Sequence, residues 1–169
     1  MTIAQFEHVS QKQFEEDYRK NISAAGECPS VDTVMLPRRA TAGSAGYDFM
    51  LPCDLTLDSG QGVTIPTGIR AKIQSGWVLM LFVRSSLGFR YRLQLDNTVG
   101  IIDSDYYQAD NEGHIMIRIT NDSKDGKIFV AQKGDRFAQG IFVPFGLAEE
   151  EKVSAGRTGG FGSTNFQTE

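Results

Sequence analysis

Residues 77–83, WVLMLFV, are seven apolar residues in a row with no polar interruption. A run this short is too brief for an ordinary buried helix but suits a strand covered on both faces. It is not isolated. Residues 62–73 (GVTIPTGIRAKI) alternate around Gly and Pro, and HIMIRITN sets Ile115, Ile117 and Ile119 on one face against Met116, Arg118 and Thr120 on the other. IFVAQ and RFAQGIFVPF add further strand-like runs. DSKDGK, residues 122–127, carries Asp-Gly between two such runs, which predicts a hairpin. Many short strands with regular turn residues make the chain from Val34 onward all-β: a sandwich, jelly roll or barrel.

The two ends read differently. Ser10 followed by Gln13 resembles a capping box, and Phe14 and Tyr18 recur at helical spacing, so one short helix with an apolar stripe is expected before the linker-like SAAGECPS. The last thirteen residues hold no strand pattern. The expected organisation is therefore an extension over residues 1–33, an all-β domain over 34–150, and a flexible C-terminal arm over 151–169. With 169 residues, 40% of them hydrophobic, the chain can build one domain with a proper core. A net charge of −4 offers no broad basic surface, which argues against direct nucleic-acid binding. The polar N-terminus and the absence of a long apolar run argue against a membrane role and lead to a cytoplasmic expectation. Cys28 and Cys53 form no C-x-x-C pair, and free thiols in a reducing compartment are expected.

Four segments are too polar or too glycine-rich for their places beside strands. In VRSSLGFR, Arg84 offers a fork of donors, Ser85 and Ser86 offer hydroxyls, and Gly88 permits close backbone approach, a combination able to cradle phosphate. A serine-containing turn with a solvated arginine is the plainer alternative. In NTVGIIDSDYY, residues 97–107, Asp103 stands where a strand meets a turn and can act as a general base, or simply cap that turn. In SAGYDF, Asp48 is a hard oxygen ligand of the kind Mg²⁺ takes. RTGGFGSTN, residues 157–165, joins flexible backbone, hydroxyls, a cation and an aromatic ring, as a phosphate-binding lid would, though it is no P-loop.

Each segment alone is a weak signal, but their order is specific. SAGYDF, VRSSLG, NTVGIIDSDY, GDRFAQ and RTGGFGST run in the sequence and at spacings that resemble the five motifs of the trimeric dUTPase family. The resemblance implies a jelly-roll-like subunit in a homotrimer whose active sites are shared between chains. It also implies Mg²⁺-dependent hydrolysis of dUTP to dUMP and pyrophosphate, which supplies dUMP for thymidylate synthesis and keeps uracil out of DNA. Carried over residue by residue, Asp103 activates the water that attacks the α-phosphorus, and Tyr106 packs on the deoxyribose. The hairpin bearing Asn97 and Gly100 reads uracil, with Met116 among the substrate-binding positions. Arg84, Ser85, Ser86, Gly88 and Gln139 contact phosphates, and Asp48 holds Mg²⁺ through bound water. From the arm, Arg157 and Ser163 grip the terminal phosphate while Phe161, next to Gly162, stacks over the base. The sequence departs from the family pattern at Val83, usually proline, in the longer link YQADNE after Tyr106, and in Arg157, one place closer to the glycine pair. A related deaminase would need a glutamate where this chain has Arg118, and a dUTP-binding protein without turnover would not need Asp103.

Overall fold

The computed structural model describes residues 2–22 and 27–149. In chain order its strands are β1 (Ala4–His8), β2 (Arg38–Arg39), β3 (Tyr47–Met50), β4 (Leu55–Leu57), β5 (Gly62–Pro66), β6 (Ile69–Ile73), β7 (Trp77–Val83), β8 (Leu93–Leu95), β9 (Gly100–Ile102), β10 (Met116–Asn121), β11 (Phe129–Ala131) and β12 (Arg136–Pro144). The two α-helices are α1 (Gln11–Asn21) and α2 (Ser85–Tyr91). The apolar run is β7, set inside a five-stranded sheet of order β2-β3-β12-β7-β9. Three smaller sheets pack with it: β5-β10-β8, β1-β6 and β11-β4. All described pairings are antiparallel, and the result is a jelly-roll-like all-β fold.

Alternation reads correctly in β10. Ile115, Ile117 and Ile119 are buried at 2% exposure or less, while Arg118 on the opposite face is exposed. They join Leu79 and Leu81 of β7, Phe49 of β3 and Phe137 of β12 in one core. Removing this much apolar surface from water is the main stabilising term, at about 25 cal/mol per Å².

Three local expectations differ from the structure. The 122–127 segment, read as a hairpin, instead carries the chain between sheets: β10 pairs with β5 and β8, whereas β11 pairs with β4. Gly126 does adopt the left-handed φ of +71° that the Asp-Gly signal predicts, but the turn type does not decide which strands pair. Residues 85–91 form a short helix rather than a plain turn. The N-terminal segment holds a strand as well as the expected helix, because β1 pairs with β6 along its whole length. Helix α1 starts as read, with the Ser10 hydroxyl accepting from the Gln13 N–H at 3.2 Å and Phe14 and Tyr18 facing the core. The Gln13 side chain does not return to Ser10, however; it donates to Asp17 at 2.9 Å.

Candidate active site

The two ends of β7 carry different chemistry. Its register with β9 pairs Leu79 with Ile102 and Leu81 with Gly100, so Asp103, one residue on, comes level with Val78 near the start of β7. Arg84 directly follows the other end. Six residues of extended chain at about 3.3 Å each separate the two by about 20 Å. The candidate base and the candidate phosphate ligands of one chain therefore do not face one reacting atom.

Beside β9, the hairpin from β8 to β9 walls a cleft of about 390 Å³ together with β10. Asn97, Gly100 and Met116, which the sequence singles out separately, come together here with Leu81, Leu95 and Ile117. The glycine is required by packing. A Cβ at Gly100 would lie 3.1 Å from the Leu81 Cβ and 3.2 Å from its Cδ1, so only a bare backbone lets the hairpin lie this close to β7. The rim is braced by ionic hydrogen bonds. Asp96 accepts from Arg118 Nε at 2.6 Å on one oxygen and from the Thr120 hydroxyl at 2.6 Å on the other. A largely apolar slot with a few placed polar groups is the usual form of a site for a flat heterocycle.

At the far end of β7, strands β3 and β12 bring Asp48 and Gln139 directly opposite one another. Asp48 is 5% exposed, and its two oxygens are engaged by Arg84 Nε at 3.1 Å and Arg136 Nη1 at 3.2 Å. Arg84, Arg90 and Arg136 line an adjoining cleft of about 290 Å³. Ser85 and Ser86 are exposed at the start of α2. The resemblance assigns Asp48 to Mg²⁺ through bound water, and within one chain its two oxygens are engaged by the two guanidinium groups. Among the described residues no group of three or more His, Cys, Asp or Glu is arranged to hold a metal ion. Asp48 orients arginines. Among the described residues Gly88 has no tight neighbour, the first contact of an added Cβ being Val83 Cγ1 at 3.7 Å.

Asp103 is exposed and stands at the N-terminal cap of a short 3₁₀ helix, Ser104–Gln108, whose first turn is closed by the Tyr106 N–H donating to the Asp103 carbonyl at 3.2 Å. Tyr106, which the resemblance assigns to the deoxyribose, is 1% exposed in the single chain, and its hydroxyl donates to the His114 carbonyl at 2.8 Å. In this chain Tyr106 anchors the turn that presents Asp103. Its position three residues after Asp103 in a 3₁₀ helix turns it inward, and strand alternation could not have indicated that.

Arg136, Asp96 and Arg118 join the two clefts without having been singled out as site residues. Arg136 was within reach, since it lies inside the GDRFAQ segment three places before Gln139. The Asp96–Arg118 pair links residues 22 apart and leaves no local signal. Arg157, Phe161, Gly162 and Ser163 lie outside the described residues.

Solved structures place this arrangement among the jelly-roll-like nucleotide hydrolases. The dUTPase from Streptococcus mutans matches with a TM-score of 0.63 and 34% identity, covering 85% of this chain and 98% of that one. A mutant dUTPase from phage phi11 of S. aureus, described with a coordinated structural Mg(II) ion, shares the fold at 20% identity and a TM-score of 0.62, over 91% of this chain and 98% of its own. The chain belongs to the dUTPase family, whose model matches residues 32–168. Relatives agree: the deoxyuridine 5'-triphosphate nucleotidohydrolase of Lactococcus lactis is 42% identical over 134 residues, 78% of this chain and 88% of the relative. That of Desulfitobacterium hafniense is 40% identical over 137 residues, 76% and 86% respectively.

Proposed function

We propose that this chain hydrolyses dUTP to dUMP and pyrophosphate at sites completed by more than one copy of itself, as a homotrimer. The observation that carries the shared-site reading is the separation of about 20 Å between Asp103 and Arg84 along β7, which leaves each chain with two half-sites. In the assembled site, the β8–β9 hairpin with Asn97, Gly100 and Met116 receives the uracil. Asp103 of the same hairpin takes a proton from the water that attacks the α-phosphorus in line, and pyrophosphate leaves with the bridging oxygen. Arg84, Ser85, Ser86 and Gln139 of another copy bind the phosphates, with Asp48 and Arg136 fixing the Arg84 fork. Arg157, Phe161, Gly162 and Ser163 are assigned to the phosphate and base ends of the same nucleotide by family resemblance alone.

By family resemblance Asp48 would hold Mg²⁺ through bound water, with Arg84 and Arg136 fixing the carboxylate's orientation. The ion would supply charge neutralisation at the phosphates, and Asp48→Asn would weaken the magnesium dependence of turnover. Two free cysteines, both with thiols pushed up by burial, suit a reducing cytoplasm.

Against a deaminase reading stands Arg118, which lines the base cleft at the position where that reaction needs a glutamate. The test is product analysis with dUTP, dCTP, dTTP and UTP in separate reactions containing Mg²⁺. The proposal expects dUMP and pyrophosphate from dUTP alone. Ammonia from dCTP, or equal cleavage of all four, would overturn it.

A further inference from the structure

The loop from Asp103 to His114 is tied to the N-terminal segment at three separate points. At the first, Glu112 accepts from the Ser10 N–H at 2.8 Å and the Ser10 hydroxyl at 2.6 Å, so a residue 102 positions away completes the cap of α1. Glu112 sits at φ +58°, uncommon for a residue with a Cβ, and Gly113 follows at φ +70°. A Cβ at Gly113 would meet the Tyr106 carbonyl and the Tyr107 Cα at 2.7 Å, so the loop folds tightly back on itself here. Hydrogen bonding from Ser10 holds the Glu112 carboxyl below the usual carboxylate range.

The second tie runs through Tyr107. Its hydroxyl donates to Glu7 of β1 at 2.6 Å, its carbonyl accepts from Arg70 of β6 at 2.8 Å, and the Arg70 guanidinium lies 3.6 Å from its ring centre. The third is His114, wholly buried. The Gly68 N–H donates to its Nε2 at 2.8 Å, so the ring proton must be on Nδ1, where it donates to Asp17 of α1 at 2.6 Å. Burial alone would raise the Asp17 carboxyl, but hydrogen bonds from His114 and Gln13 outweigh it and hold it low. Inside the loop, Tyr106 donates to the His114 carbonyl and accepts from Asn111 at 2.8 Å, which passes the constraint on to the turn that starts at Asp103.

We propose that Asp17, Glu7 and Ser10, acting through His114, Tyr107 and Glu112, are positioning residues for Asp103, so that the N-terminal segment is a working brace of the catalytic loop. The inference rests on the dUTP-hydrolysis reading for its kinetic consequence. A base displaced by a fraction of an ångström loses rate without losing substrate affinity, because none of the six brace residues lines the base cleft or the arginine cleft.

The experiment compares wild type, Asp17→Ala and Asp17→Asn in steady-state dUTP hydrolysis and in hydrogen exchange of the amides of residues 104–109. Asp17→Ala is expected to lower kcat by about tenfold or more with KM within about twofold, and to speed exchange in that segment. Asp17→Asn keeps an acceptor for His114 Nδ1–H and is expected to restore both. Glu112→Ala, at the exposed end of the brace, is expected to give the same pattern more weakly and does not depend on a core group. Unchanged kcat and unchanged exchange in folded Asp17→Ala and Glu112→Ala would overturn the brace. So would equal losses in kcat for the Ala and Asn variants of Asp17. Should the wild type fail to turn over dUTP, the activity reading falls, while the exchange comparison still decides whether the segment holds the loop.

Discussion

The two ends of β7 are finished to different degrees. At the Asp103 end, the loop is locked by its own chain: His114, Tyr106 and Ile115 are buried, and Glu7, Ser10 and Asp17 reach it from residues about a hundred positions away. At the Arg84 end, α2 has no buried residue, Ser85 and Ser86 face solvent, and Phe89 is 90% exposed. The contrast fits a division of labour. A general base must be aimed within a fraction of an ångström, and so its support is internal. Among the phosphate ligands, Arg84 is pre-set by Asp48 of its own chain, whereas the exposed Ser85 and Ser86 gain their geometry when a charged substrate and a second copy close on them.

Asp103→Asn breaks the comparison at its strongest point. Turnover is expected to fall by about 10²–10⁴-fold while a non-hydrolysable dUTP analogue still binds, which calorimetry can check. Near-normal turnover would remove Asp103 from the mechanism. Arg84→Ala should act in the opposite sense, with kcat/KM falling about ten- to a hundredfold, mostly through KM, read from steady-state kinetics.

Sequence reading reached one end of this picture better than the other, for physical reasons. The inward face of β10 was legible because strand alternation is a local property, and the residues around Asp103 and Asn97 stood out through motif order along the chain. The brace was not, since Ser10–Glu112 and Asp17–His114 are contacts between residues 102 and 97 positions apart. The two arginine partners of Asp48 were hidden for a similar reason: a lone aspartate in sequence does not reveal which cations a neighbouring strand brings to it. The Asp-Gly turn signalled its backbone conformation correctly and its strand partners wrongly, because pairing depends on which sheet edge is open.

Two glycines sharpen the comparison at smaller scale. Gly100→Ala forces a methyl against Leu81 and should cost about 1–3 kcal/mol in chemical denaturation. Gly88→Ala meets only ordinary contacts within its chain and sits in a helix, so it should stabilise the subunit by up to about 1 kcal/mol. A rise in KM for dUTP in Gly88→Ala would show that the glycine serves the substrate or a neighbouring copy rather than the fold.

The smallest effect concerns pH. The Glu112 carboxyl is held below its ordinary value of 4.5, so the stability it adds is fully present above that value and is lost as pH falls through its folded value. The difference in melting temperature between wild type and Glu112→Gln should therefore be largest near neutral pH and shrink below about pH 4.5. A difference that stays constant into acid would mean that the Ser10 contact does not depend on the charge.

The most direct test of a site divided along β7 is complementation between Asp103→Asn and Arg84→Ala chains, unfolded and refolded together at equal amounts. If Asp103 and Arg84 of one site come from different copies, some mixed assemblies hold sites with both native residues, and at dUTP well below KM about a quarter of wild-type kcat/KM should return, above the roughly tenth or less that either parent keeps there. No recovery in assemblies confirmed to be mixed would mean that a single chain supplies both residues, which would contradict the divided site.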